Sequence, residues 1–252
     1  MIRLGTFTPS VLLRVARLSG RLPVAVEEVP VASSPAQFDA LASGDLDAGL
    51  TSPDNVLGRG GTVSVAIDRG MGLALYARPS VVGPGGISGA DAAPGYHFRF
   101  AVDVPDSGFA YAMYAILGRR PDVVALGSTP KRLRALLAGE CDATMLNAGN
   151  ELLAEEAGFV RVGAAPQPYL GTVLIGDLAL ADALLSTSAA ICAGSLDDLV
   201  IASAQEALGL PPQLARRYLE RMVSPTEGLV PSGVVDPAAL ATIAALRARF
   251  GP

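Results

Sequence analysis

The 252-residue chain has no tryptophan, one histidine and two cysteines, and only 5% of it is aromatic. Each scarcity argues against a class of chemistry. A Ser-His-Asp arrangement would have to use His97, which is expected in a strand beside Phe98 and Phe100, so a hydrolytic triad is not expected. No Cys/His cluster has metal-ligand spacing, and neither a metal nor a cofactor is expected. Cys141 and Cys192 each lie in an apolar context and read as buried free thiols. Charge is sparse as well. Charged residues make up 17% of the chain and the net charge is −5. With no Lys/Arg cluster, this predicts no nucleic-acid surface. No apolar run approaches the length of a membrane-spanning helix, so membrane insertion is not expected. The first apolar run, 11–16, is broken by Arg14 and followed by Arg17, with no small-residue cleavage site. The expected location is therefore cytoplasmic as written, or periplasmic or extracellular if an upstream signal was removed.

What is present is a well-packed composition, half hydrophobic and rich in Ala, Val, Leu and Gly. The length suffices for one large or two small α/β domains. One stretch occurs twice: ALASGDLDAGLTSPDN at 40–55 and ALLAGECDATMLNAGN at 135–150, at a constant offset of 95 residues. Ala40/Ala135, Leu41/Leu136, Gly44/Gly139, Asp47/Asp142, Ala48/Ala143 and Asn55/Asn150 are identical pairs. Each copy reads as a helix ending at a left-handed glycine, an acidic turn, a short apolar strand and a polar loop. Ligands sit beyond the carboxyl ends of strands in open α/β sheets, so the repeat predicts two lobes offering polar loops to something between them.

In order, the pattern predicts strands at 2–7 and 23–31 around a helix at 11–18 capped by Ser10. A helix follows with Ser33 and Ser34 at its cap and a capping box from Ser34 to Gln37. Strands at 62–67 and 73–77 are separated by Asp68-Arg69-Gly70, and 81–89 (VVGPGGISG) reads as a linker. Further strands are expected at 98–104, 123–126, 159–162 and 172–175. Helices are expected after Asp106 and after Thr129, each of these two serving as the cap. Four more follow at 181–193, 195–208, 212–222 and 236–249. The expected division is a first lobe of 1–93 plus 174–252, with 94–173 inserted as the second.

The passages FDALASGDLDAGLTSPDNVL (38–57) and GISGADAAPGYHFRFAVDVPDSGF (86–109) resemble type II periplasmic-binding proteins, with ADAAPGYHFRFAV (90–102) at the opening of the second lobe. The resemblance is nearest the nitrate/sulfonate/taurine-binding and thiamine-pyrimidine-synthase-like branch and covers most of the chain. It implies a two-lobed α/β fold, each lobe a mixed sheet flanked by helices, closing by hinge motion on a ligand in the cleft. The crossovers are expected near 78–96 and 165–175. The chain departs from that branch in being short and in lacking the tryptophans and arginines with which many members clamp their ligands.

Candidate ligand contacts follow from these loops. Thr6, Thr8 and Ser10, with Phe7 and Pro9, place hydroxyls and amides at a helix N-terminus, where Ser10 also serves as a plain cap. Thr51, Ser52 and Asn55 end the first repeat strand, and Asn147 and Asn150 end the second; turn chemistry explains the same residues equally. Ser107 precedes a helix and suits an anion. Asp103 and Asp106 oppose one, and suit a ligand amine or a base's role. Phe109 and Tyr169 are candidate aromatic walls, as are Phe7 and Tyr111. Asp47 and Asp142 read as turn residues, and Glu27–Glu28 and Glu155–Glu156 as solvated faces.

Two functions fit. One is a non-catalytic binder of a small polar or anionic metabolite, like the solute receptors of ABC transporters, with a permease as partner if the protein is exported. The other is a cytosolic enzyme on the same fold, of dehydratase, decarboxylase or pyrimidine-synthase type, with Asp103, Asp106 or Asn147 as the catalytic candidates.

Overall fold

The computed structural model describes residues 1–83, 86–87 and 97–251. Strand β1 (Ile2–Thr6) runs into helix α1 (Val11–Leu18), and β2 (Val26–Pro30) into α2 (Ser34–Ser43). Next come β3 (Ala48–Thr51), the short α3 (Pro53–Leu57) and β4 (Val65–Asp68). Strand β5 (Ala74–Ala77) is followed by the two-residue strands β6 (Val82–Gly83) and β7 (Gly86–Ile87). The middle section contains β8 (Phe100–Val102), α4 (Gly108–Leu117), β9 (Val123–Ala125), α5 (Thr129–Ala138), β10 (Ala143–Leu146), α6 (Asn150–Glu156) and β11 (Val160–Ala164). The chain ends with β12 (Thr172–Gly176), α7 (Ala181–Cys192), α8 (Asp197–Leu208), α9 (Pro212–Val223) and α10 (Pro237–Phe250).

Two mixed five-stranded sheets result, ordered β2-β1-β3-β12-β4 and β11-β5-β10-β8-β9. In each, the parallel strands belong to βαβ units and the remaining strands pair antiparallel. The four residues of β5 are all buried, as suits an interior strand paired with β10 and β11 and packed against α4 and α6. This moves a boundary. Residues 74–77 lie inside the segment expected in the first lobe, yet they pair in the second sheet.

The crossovers therefore run through 69–73 and 165–171. The first was expected at 78–96, most of which lies outside the described residues. Asp68-Arg69-Gly70 reads in sequence like a turn between neighbouring strands. Three consecutive left-handed residues, Gly70, Met71 and Gly72, instead carry the chain across to the other sheet. The two crossovers touch: Gly171 N–H donates to the Asp68 carbonyl at 2.9 Å, and Ala165 N–H donates to that of Leu73 at 3.0 Å.

The repeat is visible in three dimensions. Gly44 and Gly139 end α2 and α5 in the left-handed conformation, with φ of 79° and 75°. Helices α1, α7, α8 and α9 bury Leu4, Leu13, Val15, Leu184 and Leu214 against the first sheet. A second cluster joins Ala66 and Val173 of the first sheet to Phe100, Tyr111 and Met145 of the second lobe. Helix α10 completes it, packing on both α3 and α4. Its Arg247 reaches the buried Asp54 of α3 at 3.1 Å.

Several local expectations change. The cap of α2 is Ser33, which accepts from Ala36 N–H, and Gln37 is not part of a capping box. Its amide is fully buried and donates to the carbonyls of Gly5 and Leu50, tying the helix to two strands. Ser107 rather than Asp106 caps α4, and Ser128 rather than Thr129 stands at the start of α5. Cys141 is buried as expected, but Cys192 ends α7 in solvent.

Candidate functional site

Strands of both sheets end facing a common cleft of about 200 Å³. The loops after β1, β3, β8, β9 and β10 supply its polar walls. Helices α1 to α5 begin there, and their N-terminal residues Ser10, Ser33, Ser52, Ser107 and Ser128 all line it. This follows from the βαβ connection itself, because each parallel strand hands the chain to a helix whose amino end sits at the strand's carboxyl end.

The cleft brings together most of the residues expected from the sequence. Thr6, Thr8 and Ser10 line it from the first loop, Thr51, Ser52 and Asn55 from the second, with Phe7 beside them. Asn55 donates to Thr51 Oγ1 at 3.0 Å, so these two hold each other. Ser52 Oγ is buried and has no partner. From the second lobe come Asp103, Ser107, Phe109 and Asn147. Ser107 Oγ donates to Asp103 Oδ1 and also accepts from Ala110 N–H at 3.1 Å.

Four expected residues do not line the cleft. Asn150 opens α6 and donates back to the Asn147 carbonyl at 3.1 Å, which is turn chemistry. Tyr169 is core, 2% exposed, with its hydroxyl toward the Gly108 carbonyl. Asp106 turns outward to pair with Arg120 at 2.9 Å. Tyr111 is likewise fully buried in the core.

The site also holds groups that sequence reasoning passed over. Glu28, read as part of a solvated face, places one carboxylate oxygen 2.7 Å from Ser10 N and 2.9 Å from Thr6 Oγ1. The anion position at the start of α1 is thus filled from within the protein. Asp68 is buried at the cleft floor, where burial pushes its carboxyl pKa up. Arg132 lines the cleft from α5 and is 1% exposed, and burial pushes its guanidinium pKa down. The arginine-poor reading of the cleft is corrected by this residue. Arg132 stands 95 residues after Gln37, just ahead of the two matched stretches, so the repeat as read did not mark it.

Backbone strain gathers here as well. Met71 and Ala148 are the described non-glycine residues with left-handed φ, at 49° and 53°, and both line the cleft. They are bonded to each other, Ala148 N–H to the Met71 carbonyl at 3.0 Å. Asn147 Nδ2 adds a contact to the Gly70 carbonyl at 3.3 Å. The first crossover is thereby fastened to the carboxyl end of β10, where the second lobe meets the cleft.

Two mixed sheets with crossovers between them and a cleft at their facing carboxyl edges define the periplasmic-binding-protein fold. Solved structures agree. The alkanesulfonate-binding protein SsuA from Xanthomonas axonopodis pv. citri, bound to MOPS, is 17% identical with a TM-score of 0.69, over 98% of this chain and 90% of that one. The periplasmic aliphatic sulphonate-binding protein SsuA from Escherichia coli is 18% identical with a TM-score of 0.67, over 99% and 86%. The Candida albicans CA3427 gene product, described as having the generic periplasmic binding protein structural fold, is 12% identical with a TM-score of 0.69, over 100% and 90%. Neither a protein-family model nor a curated protein matches the sequence.

Proposed function

We propose that the protein is a small-molecule receptor whose two lobes close on a polar or anionic metabolite. The observation that carries this reading is the convergence of five serine-headed helices from both lobes on one cleft. Short hydroxyl and amide groups orient a ligand, and the apolar walls of Phe7, Leu50, Ile67 and Phe109 exclude water from it. The neighbouring sulfonate receptors lend support to a solute-binding role, and such a role fits an exported protein working with an ABC permease. Asp103 and Asn147 are ligand contacts in this reading.

Closure is testable by distance. Exposed Cys192 at the end of α7 and a cysteine introduced at exposed Leu137 in α5 report on the two lobes separately. Spin labels there should move together when the low-molecular-weight metabolite fraction of the source cells is added. An unchanged distance distribution alongside demonstrable binding would refute hinge closure.

A further inference from the structure

The second lobe carries a buried cation whose structural duty the first lobe performs without charge. Arg132 Nη1 donates to the Gly127 carbonyl, and Nη2 donates to Thr129 Oγ1 and to the Met145 carbonyl, both at 3.1 Å. All these acceptors are neutral, and Nε is buried without an acceptor. Among the described residues no carboxylate forms an ion pair with it. Asp103 acts on it through space, with one oxygen engaged by Ser107. An unpaired buried cation is strongly unfavourable and demands a reason.

The internal repeat provides the control. Gln37 stands 95 residues earlier, at the matching place in α2. It donates to the Leu50 carbonyl at 3.2 Å, and Leu50 is the counterpart of Met145. A neutral amide therefore suffices to tie helix to strand. The two positions also differ in what they face: Arg132 lines the cleft and Gln37 does not. On the first lobe, moreover, Glu28 already occupies the anion position of α1.

Resting on the receptor reading above, we propose that Arg132 makes the second lobe the anion-receiving half of the cleft, and that the ligand is a small organic monoanion. Its charged end lies toward the start of α5, and its apolar body lies between Phe7 and Phe109. A dianion would meet a single cation with Asp103 close by, so a second negative charge has nothing to neutralise it.

The test uses probes that share a phenyl ring and differ in charge: benzoate, its near-isostere benzamide, benzylammonium and phenyl phosphate, at constant ionic strength. Thermal stabilisation and calorimetric affinity are measured on the full chain and on Arg132→Gln, the substitution the repeat itself supports. Benzoate should stabilise the native protein, the other three should not, and Arg132→Gln should weaken benzoate at least tenfold. Arg132→Lys, which keeps the charge, should restore part of the loss, and it replaces Arg132→Gln if that variant does not fold. The proposal is overturned if benzamide, benzylammonium or phenyl phosphate matches benzoate, if benzoate has no effect, or if its affinity survives Arg132→Gln. Binding of benzamide or benzylammonium would refute the anion while leaving the receptor reading intact. Failure of every probe and of every metabolite fraction would refute both.

Discussion

Arg99 grips Asp142 in the way Arg3 grips Asp47. In the second lobe the Arg99 backbone N–H lies 2.9 Å from Asp142 Oδ2, Nη2 lies 3.0 Å from Oδ1, and the same guanidinium reaches the Gly139 carbonyl at 2.9 Å. In the first lobe the Arg3 N–H lies 2.7 Å from Asp47 Oδ2, Nη2 lies 3.0 Å from Oδ1, and the Gly44 carbonyl is again the third partner. The geometry is duplicated but the burial is not, since the Asp142 side chain is 0% exposed and that of Asp47 is 32% exposed. Asp142→Ala should cost about 1–3 kcal/mol of unfolding free energy by leaving the Arg99 backbone N–H and guanidinium without their acceptor. Asp47→Ala should cost clearly less, because water replaces its contacts. Urea denaturation of the two variants decides it, and equal losses would show that burial is not what separates the copies.

The lobes are in close contact at Gly108. A Cβ there would stand 2.8 Å from Asp54 Cβ and 3.2 Å from Ser52 Oγ, and Asp54 is pinned by Arg247. Gly108→Ala should therefore lower stability by about 1–3 kcal/mol, or part the lobes and enlarge the radius of gyration. Scattering and thermal denaturation together cover both outcomes. A variant unchanged in both would mean that the contact is not kept in solution.

Glu151 is buried beneath the first crossover, accepting from Gly149 N–H, and burial pushes its pKa from 4.5 up to about 8. The unfolded chain ionises this group at lower pH than the folded one does. Stability should therefore fall as pH rises from about 4.5 to about 8 and then level off. Glu151→Gln should flatten that slope, with a gain at the alkaline end of at most about 5 kcal/mol. The check is the difference between native and variant unfolding free energies across this range. A constant difference would show that Glu151 is ionised throughout.

Ala148 holds a left-handed backbone at the cleft, with φ of 53°. Ala148→Gly should stabilise the fold by about 0.5–1 kcal/mol, relief of strain exceeding the added freedom of the unfolded chain. A lower melting temperature would mean that the methyl group's packing outweighs the strain.

The sequence made the repeating units legible because their determinants are local. Gly44 and Gly139 mark helix ends, Ser10 caps α1, and the strand-to-loop transitions at Thr51 and Leu146 follow from where the apolar runs stop. The polar loops gathered in the cleft were visible for the same reason. What stayed hidden depends on direction in space. Whether Arg132 faces solvent or the cleft is set by the phase of α5 against its sheet, and KRLR reads equally well as a solvated turn. Glu28 looked like surface because its partners, Thr6 and Ser10, come from another strand and loop. Strand β5 falls on the other side of the crossover from the sequence expectation because Asp68-Arg69-Gly70 resembles a turn between neighbouring strands until the partner strands are known.

Native mass spectrometry of the freshly purified protein, set against its denatured mass, tests the receptor reading most directly. The comparison is made for the native chain and for the Ser52→Ala/Asn147→Ala variant, whose substitutions lie on opposite walls of the cleft. The account predicts a single small adduct, retained or regained from the metabolite fraction, released on denaturation and lost in the variant, which still unfolds cooperatively when empty. An adduct that persists in the variant, or a native protein that takes up nothing from that fraction, would contradict it.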